Sequence, residues 1–439
     1  MTKTLPKDKN PPGLKLRLQA AERLGLVLGG SNFSPFTAAE IADSRDRALA
    51  NRLVTTALRR HGQIDVALSE LLDKGMPKKA GSFEAVLRLS LAQLLFLPDL
   101  GAHSALFLAV EAVKADPKAR HLSGLMNAVL RRAQANSARL SGMSNDMLLP
   151  PALREFWIRA YGEDNVERFA DALLEGAPLD LTLKEEDPEL VEALGATRLA
   201  FDTVRLASRD KPVEGLFGYT EGLWWVQDAA AAVPARLVNV ANGARVADFC
   251  AAPGGKTAQL IKAGYAVTAL DSDPTRIERL TGNLARLGYS AEIAIGDAAS
   301  FRPAAPFDAI LLDAPCTATG TFRRHPEVIW HRTDKDVQSR VALQRQLLAN
   351  AARCLAPEGL LVYCVCSLEP QEGEGQVQWA AQHLPELELV PVAREELGEL
   401  ASALLPDGTV RLHPGLALPE GVEGAIDGFF VARFRRRRG

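Results

Sequence analysis

The feature that most constrains the fold is a series of short apolar runs after residue 240, several of them separated by helical stretches. The runs are ARVADFC, AVTALD, AEIAIGD, FDAILLD and GLLVYCVC. Such runs are typical of strands buried on both faces, and helices between them favour parallel pairing. The pattern therefore predicts a doubly wound α/β domain whose ligands lie beyond the carboxyl ends of its strands. Three runs end in Asp and a fourth in Cys250, so polar groups should gather at that edge.

Upstream of this region the apolar spacing is helical. From Thr37 to about Ala135, Leu, Val and Ala recur at intervals of three and four, which predicts an all-α bundle. Residues 141–232 combine a helical stretch, PALREFWIRAYG, with the strand-like runs LDLTLKE and GLWWVQD, which predicts a small α/β connector. We therefore expect three domains, at residues 1–140, 141–232 and 233–439.

Composition excludes several classes of protein. The chain is 47% hydrophobic and 24% charged, as expected for a globular protein, and no apolar run approaches the ~18 residues of a membrane span. Five cysteines without a CxxC pair favour free thiols over a disulfide framework or a zinc site. We expect a cytoplasmic monomer without a bound metal.

Charge is distributed unevenly along the chain. Residues 1–140 carry 21 Lys and Arg against 12 Asp and Glu, whereas the remainder carries 30 against 42. A basic surface at one end suggests a polyanion partner. An ordinary solvated helical surface is the alternative, and charge alone does not separate the two.

The stretch DFCAAPGGKT follows the first apolar run and ends like a phosphate-binding loop. A Walker A motif requires a glycine where this chain has Cys250, and Pro253 removes a backbone donor, so we exclude a nucleotide triphosphatase. Gly254 and Gly255 would let an adenosine ligand approach the backbone closely. Asp271 is placed to bond ribose hydroxyls, and Asp297 to accept from the adenine amino group. Each acid alone could be a turn residue, but together they favour S-adenosylmethionine.

Asp313-Ala314-Pro315-Cys316 places a thiol where amine methyltransferases have a stacking aromatic ring. A thiolate that adds to carbon 6 of a pyrimidine makes carbon 5 nucleophilic, so the thiol indicates carbon methylation. Cys366 should reach the rim of the next strand, while Cys364 lies two residues deeper, roughly 6.6 Å by strand rise. Cys316 and Cys366 could therefore enter one pocket. The alternative is that each is a small buried apolar side chain, as we expect for Cys250, Cys354 and Cys364.

At these residues the chain resembles the Fmu/Sun (NOL/NOP2/sun) family of RNA cytosine-5 methyltransferases. The matching stretches are VQDAAA, DFCAAPGGKT, FDAILLDAPCTATGTFRRHPEVIW, VYCVCSLEP and DGFFVARF. The helical region resembles the NusB-like RNA-binding domain of bacterial members, through RDRALANRLVTTALRR and LSGLMNAVLRR. The resemblance implies a Rossmann-like methyltransferase domain after residue 232 and small-subunit (16S) ribosomal RNA as the substrate.

The resemblance also implies a role for each site residue. Cys366 would be the nucleophile, Cys316 would assist breakdown of the covalent adduct, Asp313 would bind the cytosine edge near N3, and Lys256 would orient the pocket. Cofactor contacts would map onto Cys250, Ala251, Ala252, Pro253, Gly254, Gly255, Lys256, Asp271, Asp297 and Asp313. The chain departs from the family at Val365, where a threonine usually precedes the nucleophile.

TFRRHPEVIWHR follows the Asp-Ala-Pro-Cys motif and carries several cationic side chains. Contacts with RNA phosphates are predicted for Arg323, Arg324, His325 and Arg332. Solvated loop charge is the alternative. The target cytosine must be unpaired or flipped to reach a thiol. The same chemistry on another RNA, and a non-catalytic RNA-binding assembly factor, remain alternatives to ribosomal RNA methylation.

Overall fold

The computed structural model describes residues 11–208 and 212–438, which form two compact units. The first unit comprises the described residues up to Leu174 together with His325–His331. The second comprises the described residues of Glu175–Arg324 and Arg332–Gly439. Among the residues described, no helix is long and apolar enough to cross a bilayer.

The first unit is helical, as predicted, with its core built around one central helix. Its helices are α1 (Leu14–Leu28), α2 (Ser44–Arg59), α3 (His61–Leu71), α4 (Phe83–Phe96), α5 (Ala102–Ala115), α6 (Ser123–Ala135), α7 (Ser137–Ser141), α8 (Pro151–Tyr161) and α9 (Glu163–Glu175). Helix α4 is buried along almost its whole length, from Phe83 to Leu95, so the other helices pack around it. The continuous apolar sequence of α4 explains this central position.

The bundle begins earlier than the sequence indicated, because α1 precedes Thr37. Helix α1 starts after Gly13, which provides no side-chain cap, so the usual start signal is missing. By contrast, Asp43 caps α2 by accepting from the backbone N–H groups of Arg45 and Asp46. Helices α8 and α9, assigned to the connector from sequence, lie in the first unit. The predicted domain boundaries remain predictions.

The second unit contains a small antiparallel sheet and a larger mixed one. The smaller sheet has the order β2-β3-β1-β4 and includes the predicted strands of LDLTLKE and GLWWVQD. Its strands are β1 (Asp180–Leu183), β2 (Ala196–Ala200), β3 (Thr203–Leu206) and β4 (Trp224–Val226). The larger sheet consists of β5 (Arg245–Phe249), β6 (Ala266–Asp271), β7 (Glu292–Ile295), β8 (Phe307–Asp313), β9 (Leu355–Val365), β10 (Leu387–Leu389), β11 (Val410–Leu412) and β12 (Phe429–Arg436).

The larger sheet has the order β10-β12-β9-β8-β5-β6-β7, with β11 also paired to β12. Strands β5 to β9 are parallel, as predicted from the five apolar runs. The sheet also contains strands outside those five runs, because β12 runs antiparallel to β9 and pairs antiparallel with β10 and β11, so the sheet as a whole is mixed. Strand β12 begins beside the carboxyl end of β9, with Phe430 opposite Val365. It therefore runs in the direction opposite to β9.

Helices cover the larger sheet and connect its strands. The remaining helices are α10 (Pro188–Ala193), α11 (Ala229–Arg236), α12 (Gly255–Lys262), α13 (Pro274–Arg286), α14 (Val328–His331), α15 (Asp334–Cys354) and α16 (Glu374–His383). Of these, α14 belongs to the first unit. The parallel strands end at one edge of the sheet, where the loops after β5, β6, β7, β8 and β9 carry the predicted site residues.

Candidate active site

The loop after β5 turns sharply before α12 begins. Cys250 adopts a left-handed backbone conformation with φ of 64°, and Gly254 does so with φ of 100°. The N–H of Ala251 donates to the carbonyl of Leu270 at 3.1 Å, which ties the loop to β6. A Cβ atom at Gly254 would lie 3.1 Å from Leu280 Cγ, so glycine allows both the turn and the close approach of α13.

The acids after β6 and β7 differ in exposure. The Asp271 side chain is only 1% exposed and accepts from the N–H groups of Ala252 at 3.2 Å and Asp273 at 3.1 Å. Arg276 lies 3.2 Å from the same carboxylate. This burial favours support of the Cys250–Lys256 loop over the predicted ribose contact. Asp297 is exposed and uses one carboxylate oxygen to accept from the N–H of Ala299 at 2.9 Å.

A further carboxyl group lies inside the β5 strand, beneath this loop. Asp248 is fully buried, and one of its oxygens accepts from the hydroxyl of Thr257 at 2.6 Å. The other oxygen has no hydrogen-bond partner among the residues that the structure describes. Burial raises the pKa of Asp248 to about 7, although the hydrogen bond from Thr257 opposes the shift. Near neutral pH this carboxyl group is therefore close to half protonated.

Lys256 and Asp313 form an ion pair between the ends of β5 and β8. Lys256 Nζ lies 2.8 Å from Asp313 Oδ2, and the lysine side chain is 11% exposed. Burial alone would lower the pKa of Lys256, but the Asp313 carboxylate raises it above its ordinary value. Cys364, which is buried, donates to the second oxygen of Asp313 at 3.4 Å. The lysine therefore remains a cation that holds Asp313 in place.

The two predicted rim cysteines lie side by side. The sulfurs of Cys316 and Cys366 are 3.5 Å apart, and both residues are partly exposed. The hydrogen bond with Cys366, followed by burial, raises the pKa of the Cys316 thiol well above its usual range. Cys316 therefore retains its proton and can donate it toward the Cys366 sulfur. As predicted, Cys364 is buried two residues deeper in the strand.

Backbone contacts fix the loops that carry these thiols. The N–H of Gly320 donates to the carbonyl of Cys366 at 3.1 Å, and the N–H of Gly428 donates to the carbonyl of Gly320 at 2.8 Å. A Cβ atom at Gly320 would lie 2.2 Å from the carbonyl oxygen of Gly428. Only glycine permits this approach, which brings the segment before β12 against the Cys316 loop.

Glu372, which the sequence reasoning did not single out, joins both thiol loops. Its side chain is fully buried and accepts from the N–H of Thr317 at 3.0 Å and from the Thr317 hydroxyl. It also accepts from Ser367 Oγ at 2.6 Å and from Gln344 Nε2 at 2.9 Å. An acid in the polar stretch EPQEGE would be expected at the surface, so no local signal indicated this burial.

The predicted RNA-contact residues occupy different environments. Arg323 is fully buried, with its guanidinium 2.6 Å from Asp228 and 2.8 Å from Asp427. This burial argues against a phosphate contact, because the charge is already neutralised inside the protein. Arg324 also pairs with Asp427, but its side chain is 40% exposed.

The last two predicted RNA-contact residues lie in separate units. Arg332 is partly buried in the second unit, where its Nε donates to the carbonyl of Thr317 at 2.9 Å. His325 belongs to the first unit, where it lies 3.6 Å from Glu327. The Thr317 bond places Arg332 beside the loop that carries Cys316.

The chain is similar to known proteins along most of its length. Residues 235–435 match the model of the 16S rRNA methyltransferase RsmB/F family, and residues 28–135 match that of the NusB family. The ribosomal RNA small subunit methyltransferase B of Xanthomonas campestris pv. campestris is 35% identical over 441 residues, which cover 96% of this chain and 97% of that protein. The chain belongs to the RsmB/F methyltransferase family. The resemblance indicated by the sequence motifs is thus confirmed.

Solved structures agree with this family assignment. The crystal structure of PH0851 superposes with a TM-score of 0.76 at 23% identity, covering 98% of this chain and all of that one, which shows a shared fold. A methyltransferase homologue from Pyrococcus horikoshii is 29% identical with a TM-score of 0.53, covering 65% of this RsmB/F chain and 95% of the homologue.

Proposed function

We propose that the protein transfers a methyl group from S-adenosylmethionine to carbon 5 of a cytosine in small-subunit (16S) ribosomal RNA. The transfer would proceed through a covalent adduct between Cys366 and carbon 6. The observation that carries this proposal is the 3.5 Å separation of the Cys316 and Cys366 sulfurs, next to the Lys256–Asp313 ion pair. Two thiols and a carboxylate at the ends of adjacent parallel strands suit pyrimidine addition and elimination.

The contact between the two thiols supports the assignment of roles. The sulfurs of Cys316 and Cys366 lie 3.5 Å apart, so Cys316 can donate a hydrogen bond to the Cys366 sulfur, to which the family resemblance assigns the role of nucleophile. Cys366 adds as the thiolate to carbon 6 while N3 takes up a proton, and the Asp313 carboxylate accepts from this N3–H group, which stabilises the adduct. Carbon 5 then takes the methyl group from the cofactor. The carbon 5 and N3 protons pass to water, the double bond between carbons 5 and 6 reforms, and the electron pair of the broken bond returns to the Cys366 sulfur, the stage that the family resemblance assigns to Cys316.

Residues at the ends of β5 to β7 suit S-adenosylmethionine. The left-handed turns at Cys250 and Gly254 leave backbone close to the sheet edge, and the exposed Asp297 carboxylate can accept from an adenine amino group. Asp271, buried under the loop, would hold these groups in position rather than reach the ribose. When bound, the cofactor supplies an electrophilic methyl group on a sulfonium sulfur. The ion pair keeps Lys256 between this region and the thiols.

We further propose that the NusB-like helices bind the RNA. Residues 1–140 carry a net charge of +9, and residues 28–135 within this segment match the NusB family. Arg324 and His325 present exposed side chains that could contact phosphates, and Arg332 lies beside the Cys316 loop. Arg323 is left out of this set because of its burial.

The test is to incubate the protein with methyl-labelled S-adenosylmethionine and 16S ribosomal RNA, either free or in small subunits. Digestion to nucleosides and mass spectrometry separate 5-methylcytidine from its N4 and 2′-O isomers. We expect label in 5-methylcytidine only, and none with Cys366→Ala protein. Label in another isomer would contradict the carbon 5 chemistry. Label only in a different RNA would identify that RNA as the substrate. Absence of label from every RNA tested would favour a non-catalytic RNA-binding assembly factor.

A further inference from the structure

The loops carrying Cys316 and Cys366 are joined by one buried acid, Glu372, which lies two residues after the stretch VYCVCSLEP. We propose that Glu372 is a positioning residue that sets the distance between the two thiols and keeps negative charge beside Cys316. The inference rests on the proposed function, since it concerns the same pair of sulfurs. Glu372 itself touches neither reacting atoms nor the predicted cofactor residues in any contact of the described chain.

On the Cys316 side, Glu372 and its partner Gln344 contact the residues directly after and directly before the cysteine. It accepts from the N–H and the hydroxyl of Thr317, the residue directly after Cys316. Gln344 donates to Glu372 at 2.9 Å and to the carbonyl of Pro315, directly before Cys316, at 3.0 Å. The backbone on each side of the thiol is therefore fixed by the same carboxylate and its amide partner.

On the Cys366 side, the link is the hydroxyl of Ser367. It donates to Glu372 at 2.6 Å and accepts from the N–H of Glu369 at 3.0 Å. Tyr363, on β9, donates to the backbone carbonyl of Glu372 at 2.7 Å. This arrangement also accounts for Val365, which is fully buried in the apolar core. The hydroxyl that positions this loop comes from the residue after the nucleophile rather than from the one before it.

The charge of Glu372 adds to its positional effect. Within the described residues no Lys or Arg forms an ion pair with it, and its carboxyl group faces the hydrogen-bond donors of Thr317, Ser367 and Gln344. After the hydrogen bond with Cys366 and burial, the Glu372 carboxylate is a further cause that raises the pKa of the Cys316 thiol. Removing this charge should therefore make Cys316 easier to deprotonate.

The experiment compares full-length wild-type protein with Glu372→Gln. The matched control is Glu399→Gln, which makes the same chemical change at an exposed position of the same unit. We expect Glu372→Gln to lower kcat for RNA methylation about 100-fold, because displacing a reacting group by about 1 Å has that effect. The Kd for S-adenosylmethionine should change by less than about twofold, because substitutions at sites without shared contacts affect each other only slightly. The control should match wild type in both.

Thiol alkylation gives a readout that does not depend on RNA. The protein is treated with iodoacetamide across a pH series, and peptide mass spectrometry follows Cys316 and Cys366 separately. In Glu372→Gln the pH at which Cys316 is alkylated at half its maximal rate should fall, whereas in Glu399→Gln this pH should equal that of wild type. Glu372→Asp, which keeps the charge but shortens the side chain, should restore this pH for Cys316 while recovering only part of kcat.

Two milder variants cover the case in which Glu372→Gln does not fold, as judged by its cofactor binding. Ser367→Ala and Thr317→Val each remove one hydroxyl link, and each should lower kcat by about three- to tenfold, the equivalent of one neutral hydrogen bond. Unchanged kcat and unchanged alkylation in all the variants would overturn the inference. If wild type makes no 5-methylcytidine, the proposed function is wrong, while the alkylation profile still decides whether Glu372 acts on the thiols.

Discussion

Two neighbouring parts of the candidate active site are built in different ways. The cofactor half, at the ends of β5 to β7, is held by bonds within one loop, such as Asp297 to Ala299, and by bonds between neighbouring loops, such as Ala252 to Asp271 across 19 residues. The thiol half, at the ends of β8 and β9, is held by buried bonds of longer range, such as Glu372 to Thr317 across 55 residues. The cofactor half can thus be formed by segments that are close in the sequence, whereas the thiol pair requires distant segments.

The largest effect should come from the nucleophile itself. Cys366→Ala removes the sulfur that forms the adduct, so RNA methylation should fall more than about 10³-fold. Calorimetry should show S-adenosylmethionine affinity close to wild type, because the cofactor half is untouched. Full methylation by this variant would contradict the assignment of Cys366, and lost cofactor binding would show that the two halves are not separable.

The second thiol should fail at a later stage. Cys316→Ala should form the adduct but release it slowly, so covalently joined protein and RNA should accumulate as a denaturant-resistant band on a gel. We expect turnover to fall about 10²-fold or more, as for the loss of an acid–base group. A resistant band with Cys366→Ala instead would mean that the two roles are reversed.

The thiol half should also depend on its buried ion pairs for stability. Arg323→Ala leaves Asp228 and Asp427 buried without this partner, which should lower the free energy of unfolding by about 3–5 kcal/mol. Urea unfolding measures the change, with the exposed Arg279→Ala as control. A change within about 0.5 kcal/mol, typical of surface substitutions, would show that Arg323 is not structural.

The cofactor half contains a buried acid that forms no ion pair with any described residue, so its stability should vary with pH. Because the pKa of Asp248 is raised to about 7 from about 3.9 in the unfolded chain, its contribution is full below about pH 4 and is lost as pH rises through about 7. Asp248→Asn cannot ionise. Its unfolding free energy relative to wild type should therefore rise between pH 4 and 8 by about 4 kcal/mol at most.

The quantity to compare is the change in unfolding free energy with pH, because Asn forms different hydrogen bonds from the protonated acid and so adds a constant offset. Urea titrations of both proteins across the pH range give this difference. Parallel curves would mean that Asp248 has an ordinary pKa in the folded protein.

The smallest effect is expected from the acid under the cofactor loop. Asp271→Ala removes the acceptor for the N–H groups of Ala252 and Asp273, so S-adenosylmethionine should bind more weakly by about tenfold or more, since bonds to a charged group contribute ~1.5–3 kcal/mol. Calorimetry should detect this change while thiol alkylation stays as in wild type. Unchanged affinity would make Asp271 an ordinary turn residue.

The difference between segments close in the sequence and distant ones also explains which features could be predicted from the sequence. The strands of the parallel sheet and the Cys250–Lys256 loop are encoded in contiguous residues, so periodicity and turn chemistry indicated them. The proximity of Cys316 and Cys366 followed because adjacent parallel strands end at one edge. The burial of Arg323 and Glu372 could not be predicted, since charged residues are exposed by default and their partners are 104 and 55 residues away.

The antiparallel β12 has a consequence for synthesis of the protein on the ribosome. Asp427, which pairs with Arg323, and β12, which covers β9, are both made after every residue assigned to the chemistry. A nascent chain that stops before Asp427 already contains Cys366, but its Arg323 has only Asp228 of these two acidic partners and its β9 has an open edge. We therefore expect the site to be complete only after translation has passed β12, and until then the exposed edge of β9 is where another strand can pair.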